Sequence, residues 1–207
     1  MVELHRDGKP MFHAESLGQW RAWLHRNHNA SRGVWLVVWK KHTGKPALEY
    51  SDTVDEALAY GWIDSRTNRL DDERATRWFC PRNPTSPWSR INRAKIARLV
   101  DEGRLQPAGQ ALVDAARANG AWTIGDEIED LVIPDDLAEA LRSSPSANTH
   151  FARFSASAKK NILWWIKSAK RAPTRTRRIN ITVERAAENR LANHPKGRDQ
   201  GPRAGPV

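Results

Sequence analysis

Apolar residues recur at helical spacing near the start of the chain. Ser16 and Gln19 stand three positions apart, which is the spacing of a capping box at the start of a helix. The residues that follow form an apolar stripe on one helical face up to about His28, made of Leu17, Trp20, Trp23 and Leu24. The pattern therefore predicts a first helix that begins at Ser16.

An apolar, β-rich run at residues 34–39 follows this helix. Because the run lacks polar alternation, it predicts a central strand buried on both faces, with Trp35, Val37 and Trp39 sharing one face. Residues 62–68 and 75–81 predict two more strands, joined as a hairpin through Leu-Asp-Asp-Glu. The sheet is therefore expected to be small and partly antiparallel.

Helices are predicted before and after the hairpin. Thr53 and Glu56 have the spacing of a second capping box, and Gly61 suits a helix end that requires a positive φ. After the hairpin, Ser89 introduces a helix, and Pro107 begins another that stops at Asn119-Gly120. The inward face of the helix after Ser89 is predicted to carry Ile96, Leu99, Val100 and Gly103.

The second half of the chain predicts a separate helical part. Residues 121–133 are acidic and irregular, which indicates a connector. Beyond it, short helices are predicted at 134–142, 147–154, 155–170 and 174–189, the last two as a hairpin of helices with a basic exterior. We therefore predict an α+β domain at 1–125, an all-helical domain at 126–191 and a disordered Pro/Gly-rich tail at 192–207.

The composition narrows the class of protein. A chain of 207 residues buries enough surface to fold without disulfides, and Cys80 has no second cysteine to pair with. No apolar run approaches the length that spans a bilayer, and the N-terminus lacks the pattern of a secretion signal. A cytoplasmic location is the expectation. The ten tryptophans favour burial in the core, with a ligand-facing platform as the alternative.

The formal charge of +10 is unevenly distributed. Residues 1–154 hold 21 basic and 21 acidic side chains, whereas residues 155–191 hold ten basic side chains against Glu184 and Glu188. One interpretation is a surface that contacts nucleic acid or an anionic membrane face; the other is solvated helix surface. The residues considered for polyanion binding are Lys159, Lys160, Lys167, Lys170, Arg171, Arg175, Arg177 and Arg178.

The predicted hairpin carries the most unusual cluster of polar and aromatic residues. Strand alternation would place Trp62, Asp64 and Arg66 on one face, with Arg77 and Arg82 nearby in the partner strand. Such a cluster can hold a carboxylate or phosphate by bidentate hydrogen bonds, or it can be an ion pair at a sheet edge. Trp88 would wall the pocket or fix the entry of the next helix.

Other catalytic and cofactor motifs are absent from the sequence. His25 and His28 have a spacing that metal ligands use, but they lack further ligands at matching spacing, so no metal site is predicted. Cys80 has no recognisable base, no serine stands in a nucleophile-elbow pattern, and there is no Gly-rich phosphate loop. No cofactor is expected.

Several segments resemble one bacterial family. The segments from Glu56 to Asp64 and from Glu102 to Gly109, together with Lys159-Lys-Asn-Ile-Leu-Trp-Trp-Ile and the segment from Ala169 to Ile179, resemble the YdeI/OmpD-associated, or bacteriocin-protection, proteins. The similarity extends from about residue 10 to 191. It implies a short helical C-terminal domain and a link to envelope stress and resistance to bacteriocins or antimicrobial peptides. It carries no catalytic residues with it.

The leading hypothesis is a non-enzymatic binding or stress-response protein. Its hairpin would bind a small anionic ligand, and its basic C-terminal helices would contact an anionic partner. The alternative is an enzyme that acts on a small anionic substrate, with Asp64 as acid or base and the arginines as an anion clamp.

Overall fold

The computed structural model describes residues 4–6 and 8–193. The chain divides into two compact units, Met1–Gly125 and Asp126–Val207. The first unit combines a sheet with helices and the second is helical, so the α+β fold with a helical C-terminal region is confirmed. In the described part of the chain, every helix is too short or too polar to cross a membrane.

A five-stranded mixed sheet organises the N-terminal unit, with strand order β1-β2-β3-β5-β4. The β2 and β3 strands run parallel, and the other neighbouring strands are antiparallel. The sequence pattern misses β1 and β2, because a turn glycine and a proline interrupt their short runs. The strands are β1 (Leu4–Arg6), β2 (Lys9–His13), β3 (Val34–Trp39), β4 (Trp62–Arg69) and β5 (Arg74–Pro81).

The β3 strand is the central strand, as its apolar run predicts, and all but its last residue are buried. One face carries Leu36 and, on β5, Phe79, against which the ring of Trp20 packs at a centroid distance of 5.1 Å. On the other face, the rings of Trp35 and Trp78 meet at 5.3 Å. Large apolar side chains thus cover both faces of β3.

Four α-helices and a short 3-10 helix (Lys41–Thr43) accompany the sheet in the described part of this unit. The α-helices are α1 (Leu17–Asn27), α2 (Tyr50–Ala59), α3 (Arg90–Asp101) and α4 (Pro107–Ala118). The predicted caps at Ser16 and Ser89 are confirmed, since each side chain accepts a hydrogen bond from a backbone N–H of the first turn. Gly61 has φ +75°, as its predicted position at a helix end requires.

Two details of the helix predictions are wrong. The α2 helix begins at Tyr50, so Thr53 lies inside it and donates its hydroxyl to the Tyr50 carbonyl instead of capping. Glu56 is unavailable for a capping box because it binds arginines from other elements. Val100 is 53% exposed and does not face the core. The first difference reflects contacts of Glu56 with distant arginines, which local spacing does not encode.

A β-bulge in β4 changes the predicted strand face. Asp64 pairs with Phe79 and Thr67 pairs with Arg77, so two residues of β4 stand opposite one residue of β5. The extra residue reverses the alternation. Arg66 therefore lies near the Trp35 ring, on the face opposite to that of Asp64 and Phe79.

The C-terminal unit packs five helices around its own core. The predicted connector contains the first of them, whose Ile128 is buried. Ala192 is also buried; the predicted tail beyond residue 193 lies outside the described residues. The helices are α5 (Asp126–Glu129), α6 (Asp135–Arg142), α7 (Pro145–Arg153), α8 (Ala156–Lys167) and α9 (Ala172–Ala187). The largest buried side chains are those of Leu137, Leu141, Phe151, Ile162 and Ile166.

Gly109 allows α4 to approach the end of α2, and this predicts a strong effect of a single methyl group. A Cβ at residue 109 would lie 2.4 Å from the Ala59 carbonyl oxygen, a backbone atom that cannot move alone. We expect Gly109→Ala to lower the free energy of unfolding by about 1–3 kcal/mol in urea denaturation.

Gly18→Ala is the matched control, because its Cβ would meet only the Ser16 hydroxyl oxygen at 3.8 Å. It should leave stability unchanged or raise it by up to about 1 kcal/mol. Equal effects of the two substitutions would contradict the close approach of α2 and α4.

Candidate functional site

Of the six candidate residues, Asp64 and Arg77 of the β4–β5 hairpin share one neighbour, Tyr50. Tyr50, at the start of α2, donates its hydroxyl to Asp64 Oδ2 at 2.9 Å. The Cζ atom of Arg77 lies 4.3 Å from the centre of the Tyr50 ring, and Arg77 donates to the Thr53 hydroxyl at 2.9 Å. Tyr50 therefore links Asp64 to Arg77 without a direct ion pair between them.

Burial sets the electrostatics of this group. Burial lowers the pKa of Arg77, although the nearby Tyr50 and Asp64 oppose the shift. Burial, and then the hydrogen bond to Asp64, raise the pKa of the Tyr50 phenol. The Nε atom of Arg77 is buried without a hydrogen-bond partner in the described part of the protein. The group can present a half-buried cation beside an exposed phenol.

Two other candidate residues of the hairpin lie elsewhere. Trp62 belongs to the core, where its indole N–H donates to the His28 carbonyl at 3.2 Å. Arg66 is on the opposite face because of the bulge, with its Cζ atom 6.0 Å from the centre of the Trp35 ring. Trp62 therefore shares the strand face of Asp64, as alternation predicts, but is buried in the core, whereas Arg66 does not share that face.

Arg82 and Trp88 form a second, separate pair. Arg82 is 7% exposed, and it donates to the carbonyl of Pro87 and, at 3.3 Å, to that of Ser86. Its Cζ atom lies 4.1 Å from the centre of the Trp88 ring, which packs against Trp122. Burial lowers the pKa of Arg82. These contacts hold the loop before α3 in place.

The six candidate residues thus occupy separate places in the N-terminal unit. A clamp around Asp64 would need Arg66 and Arg82 on its side of the sheet. The bulge turns Arg66 away, and the loop before α3 occupies Arg82. Arg77 alone of these arginines shares a partner with Asp64.

Sequence reasoning missed a buried cluster of charges on α2. Asp55 and Glu56 are 4% and 2% exposed. Lys95 Nζ lies 2.6 Å from Asp55 Oδ1, and Arg98 pairs with the other oxygen. The sequence did contain a signal for this cluster. Two adjacent acidic residues stand on an otherwise apolar helix, and a lysine and an arginine three positions apart follow later in the chain.

Glu56 binds two arginines from different elements. Arg21 of α1 donates through Nε and Nη2 at 2.8 and 2.6 Å, and Arg104 donates at 2.7 Å. The bond to Glu56 raises the pKa of Arg21. These residues line a cleft of about 450 Å³, in which the carboxylates of Asp55 and Glu56 are already paired. We interpret the cluster as structural, because all four oxygens of the pair have cationic partners.

In the C-terminal unit, acidic residues neutralise three of the eight candidate cations. The acidic partners come from α5 and α6 and not from the basic segment itself. The pairs are Lys160 with Glu129 at 2.6 Å, Lys167 with Glu127 at 2.9 Å, and Arg175 with Asp136 at 2.7 Å. The bidentate bond from Arg175 holds the pKa of the Asp136 carboxyl below its usual value.

The other five candidate cations divide into two sets. Lys159 donates to the Ala152 carbonyl, and Arg178 donates to the Trp165 carbonyl and the Ser168 hydroxyl. The remaining three are exposed, and none forms an ion pair with a described residue. We call these three, Lys170, Arg171 and Arg177, the α8–α9 corner.

A groove of about 370 Å³ opens beside this corner. It is lined by two half-buried indoles and by amide and hydroxyl side chains, namely Trp164, Trp165, Asn161, Ser168 and Asn193. None of these lining side chains carries a charge. The sequence indicated only that one of the two tryptophans would face outward.

His25, His28 and Cys80 were considered for metal or thiol chemistry. Among the described residues, no three potential ligands of the histidine, cysteine and carboxylate types cluster, so His25 and His28 gain no further ligand. Burial raises the pKa of the Cys80 thiol, which favours its unreactive protonated form.

Comparison with known protein families divides the chain in a similar way. Residues 130–189 match the family model described as "Bacteriocin-protection, YdeI or OmpD-Associated", which confirms the resemblance for the helical unit. Residues 12–112 match a different model, described as a domain of unknown function (DUF8412). Searches of curated proteins and of solved structures gave no match.

The buried charges on α2 predict a large loss of stability when one is removed. Glu56→Gln keeps the shape of the side chain but leaves Arg21 and Arg104 without their shared anion. We expect the free energy of unfolding to fall by about 2 kcal/mol in urea denaturation, because the hydrogen bonds to the charged Glu56 oxygens are weakened while both arginines stay partly exposed to solvent. Glu73→Gln, which breaks an exposed pair with Lys45, should cost less than about 1 kcal/mol. A loss as small as that for Glu56→Gln would contradict a structural role.

The contact between Tyr50 and Asp64 predicts an altered phenol titration. In a Tyr60→Phe background Tyr50 is the only tyrosine. Its pKa, followed by ultraviolet absorbance, should exceed the ordinary value. Adding Asp64→Asn should lower this pKa without fully restoring it, because burial is the larger cause.

The raised pKa of Tyr50 also contributes to the free energy of unfolding. This contribution should be fully present below the pKa of an unfolded tyrosine, about 10, and it should be lost as the pH rises through the pKa of Tyr50 in the folded protein. An unchanged titration in the Asp64→Asn variant would contradict the hydrogen bond.

Proposed function

We propose that the protein is a non-enzymatic binding protein whose C-terminal unit contacts an anionic partner through the α8–α9 corner. One observation carries the proposal: Lys170, Arg171 and Arg177 are exposed and have no acidic partner among the described residues, whereas Lys160, Lys167 and Arg175 are neutralised. Unpaired, exposed cations close together attract polyanions.

The start of α9 adds to this positive potential. No side chain caps the helix, and its first turn contains no acidic residue. The positive end of the helix dipole therefore adds to the positive potential near Lys170 and Arg171. Arg177 follows Arg171 by six residues, about 9 Å along the helix axis. At about 100° per residue, Arg177 also lies about 120° around the helix from Arg171, so the three cations lie near the same end of α9 but not on one helical face.

A polymeric partner is better supported than a small ligand at the hairpin. Arg66, Arg77 and Arg82 lie in three separate environments, so they offer no shared cradle for one small anion. The same separation leaves the alternative of catalysis by Asp64 without the arginine clamp that it requires.

The match of the helical unit to a bacteriocin-protection model supports a role in stress resistance. A chain with a formal charge of +10 would repel cationic peptides and would not capture them directly. We therefore propose an indirect role in the cytoplasm, in which the protein acts through its anionic partner.

The test is a salt series with mixed-sequence duplex DNA and heparin as probes. The variant Lys170→Gln/Arg171→Gln/Arg177→Gln should weaken binding about tenfold or more. For duplex DNA it should also reduce the slope of log affinity against log salt by about 2–3, because each phosphate contact contributes about 0.9.

The matched control is Arg32→Gln/Arg142→Gln/Arg153→Gln, which removes the same charge at exposed positions elsewhere. It should change binding by less than about twofold. Equal weakening in both variants would show that only net charge matters, and absence of binding by the unmodified protein would refute the proposal.

A further inference from the structure

We propose that the partner is a single-stranded nucleic acid and that the groove at Trp164 and Trp165 receives one of its bases. This inference rests on the proposed function, because the α8–α9 corner supplies the contacts to phosphate. The groove is an independent observation, since none of its lining residues belongs to the corner.

The groove results from the way in which α8 divides its faces. Ile162, Leu163 and Ile166 are buried and hold the helix against the core of the unit. Asn161 and Ser168 stand seven positions apart, with the tryptophans between them, and so share the outer side of the same helix. Trp164 and Trp165 remain partly exposed although they also pack on the core.

The lining fits the chemistry of a base. A base has flat apolar faces and a polar edge that both donates and accepts hydrogen bonds. Indole rings provide surfaces for stacking, and an asparagine amide supplies a donor and an acceptor together. Asn161 and Asn193 each offer such an amide. The Ser168 hydroxyl is already engaged, since it donates to the Trp165 carbonyl and accepts from Arg178. The volume of about 370 Å³ is large enough for one base but not for a folded segment.

The groove and the cations are adjacent. Ser168 precedes Lys170 by two residues, a span of at most about 7 Å. Arg178, the neighbour of Arg177 in the chain, contacts the groove: it donates to the Ser168 hydroxyl at 2.9 Å, and its Cζ atom lies 5.2 Å from the centre of the Trp165 ring. A strand whose phosphates bind at the corner would therefore bring its bases to the indoles.

This arrangement favours a single strand over a duplex or a membrane. The bases of a duplex are stacked on each other and cannot enter a lateral groove without being flipped. A membrane-binding surface would present large apolar side chains toward the lipid. This groove instead mixes its indoles with amides and a hydroxyl.

The experiment compares fluorescein-labelled oligonucleotides of equal length by fluorescence anisotropy. One is a single strand of mixed sequence, one is an abasic strand with the same phosphates, and one is a duplex. Vesicles containing an anionic phospholipid serve as a fourth probe, followed by co-sedimentation. We expect the single strand to bind about tenfold more tightly than the abasic strand.

Two variants locate the effect. Trp164→Leu removes an aromatic face but keeps apolar packing, and Asn161→Ala changes an exposed helical residue that the fold does not need. Each should weaken binding of the single strand several-fold and leave binding of the abasic strand unchanged. Circular dichroism reports whether Trp164→Leu is folded; if it is not, Asn161→Ala decides.

The outcomes separate this inference from the proposed function. If the single and abasic strands bind equally and only the variant of Lys170, Arg171 and Arg177 weakens them, the base site is refuted and the anionic partner stands. Tighter binding of the duplex or the vesicles also refutes the base site. If no probe binds, both proposals fail.

Discussion

Two neighbouring carboxylates on α2 determine how the other helices of the N-terminal unit pack against α2. Asp55 and Glu56 are almost completely buried, and a buried charge is tolerated only when it is paired. Their partners come from α1, from α3 and from the segment that follows α3. Each of these elements must therefore meet α2 in one orientation, and the apolar contacts with Phe79 form within that frame.

The C-terminal unit uses charges in the opposite way, at its surface. Its basic segment is partly neutralised by acids that come from α5 and α6, more than 30 positions earlier in the chain. The unpaired charge at the surface is therefore smaller than the total charge of the segment. This unpaired charge is concentrated where α8 ends and α9 begins, beside a pair of indoles. The location of unpaired charge, more than its amount, distinguishes this surface.

The sequence predicted features that depend on neighbouring residues. Four features could be predicted because each depends on a few adjacent side chains. They are the caps at Ser16 and Ser89, the positive φ of Gly61 and the central strand at residues 34–39. Contacts between residues far apart in the sequence could not be predicted. The pairing of Asp55 with Lys95 spans 40 positions. The role of Tyr50 likewise depends on where the hairpin places Asp64.

The candidate site illustrates the same limit on a smaller scale. The side chains of β4 alternate between the two sheet faces as predicted up to Asp64, and the bulge between Asp64 and Thr67 then interrupts this alternation. No residue type marks that bulge, since it arises from the register with β5.

The bulge also determines how this hairpin can be compared with others. A homologous strand without the bulge would have one residue fewer after Asp64. Its residues beyond that point match those of β4 in strand face only when the two strands are aligned from the hairpin turn. Positions 65 and 66 thus have no fixed counterpart in an unbulged strand, whereas Thr67 remains defined by its partner Arg77. Substitutions recorded at Arg66 across relatives would then reflect strand length as much as selection on a side chain.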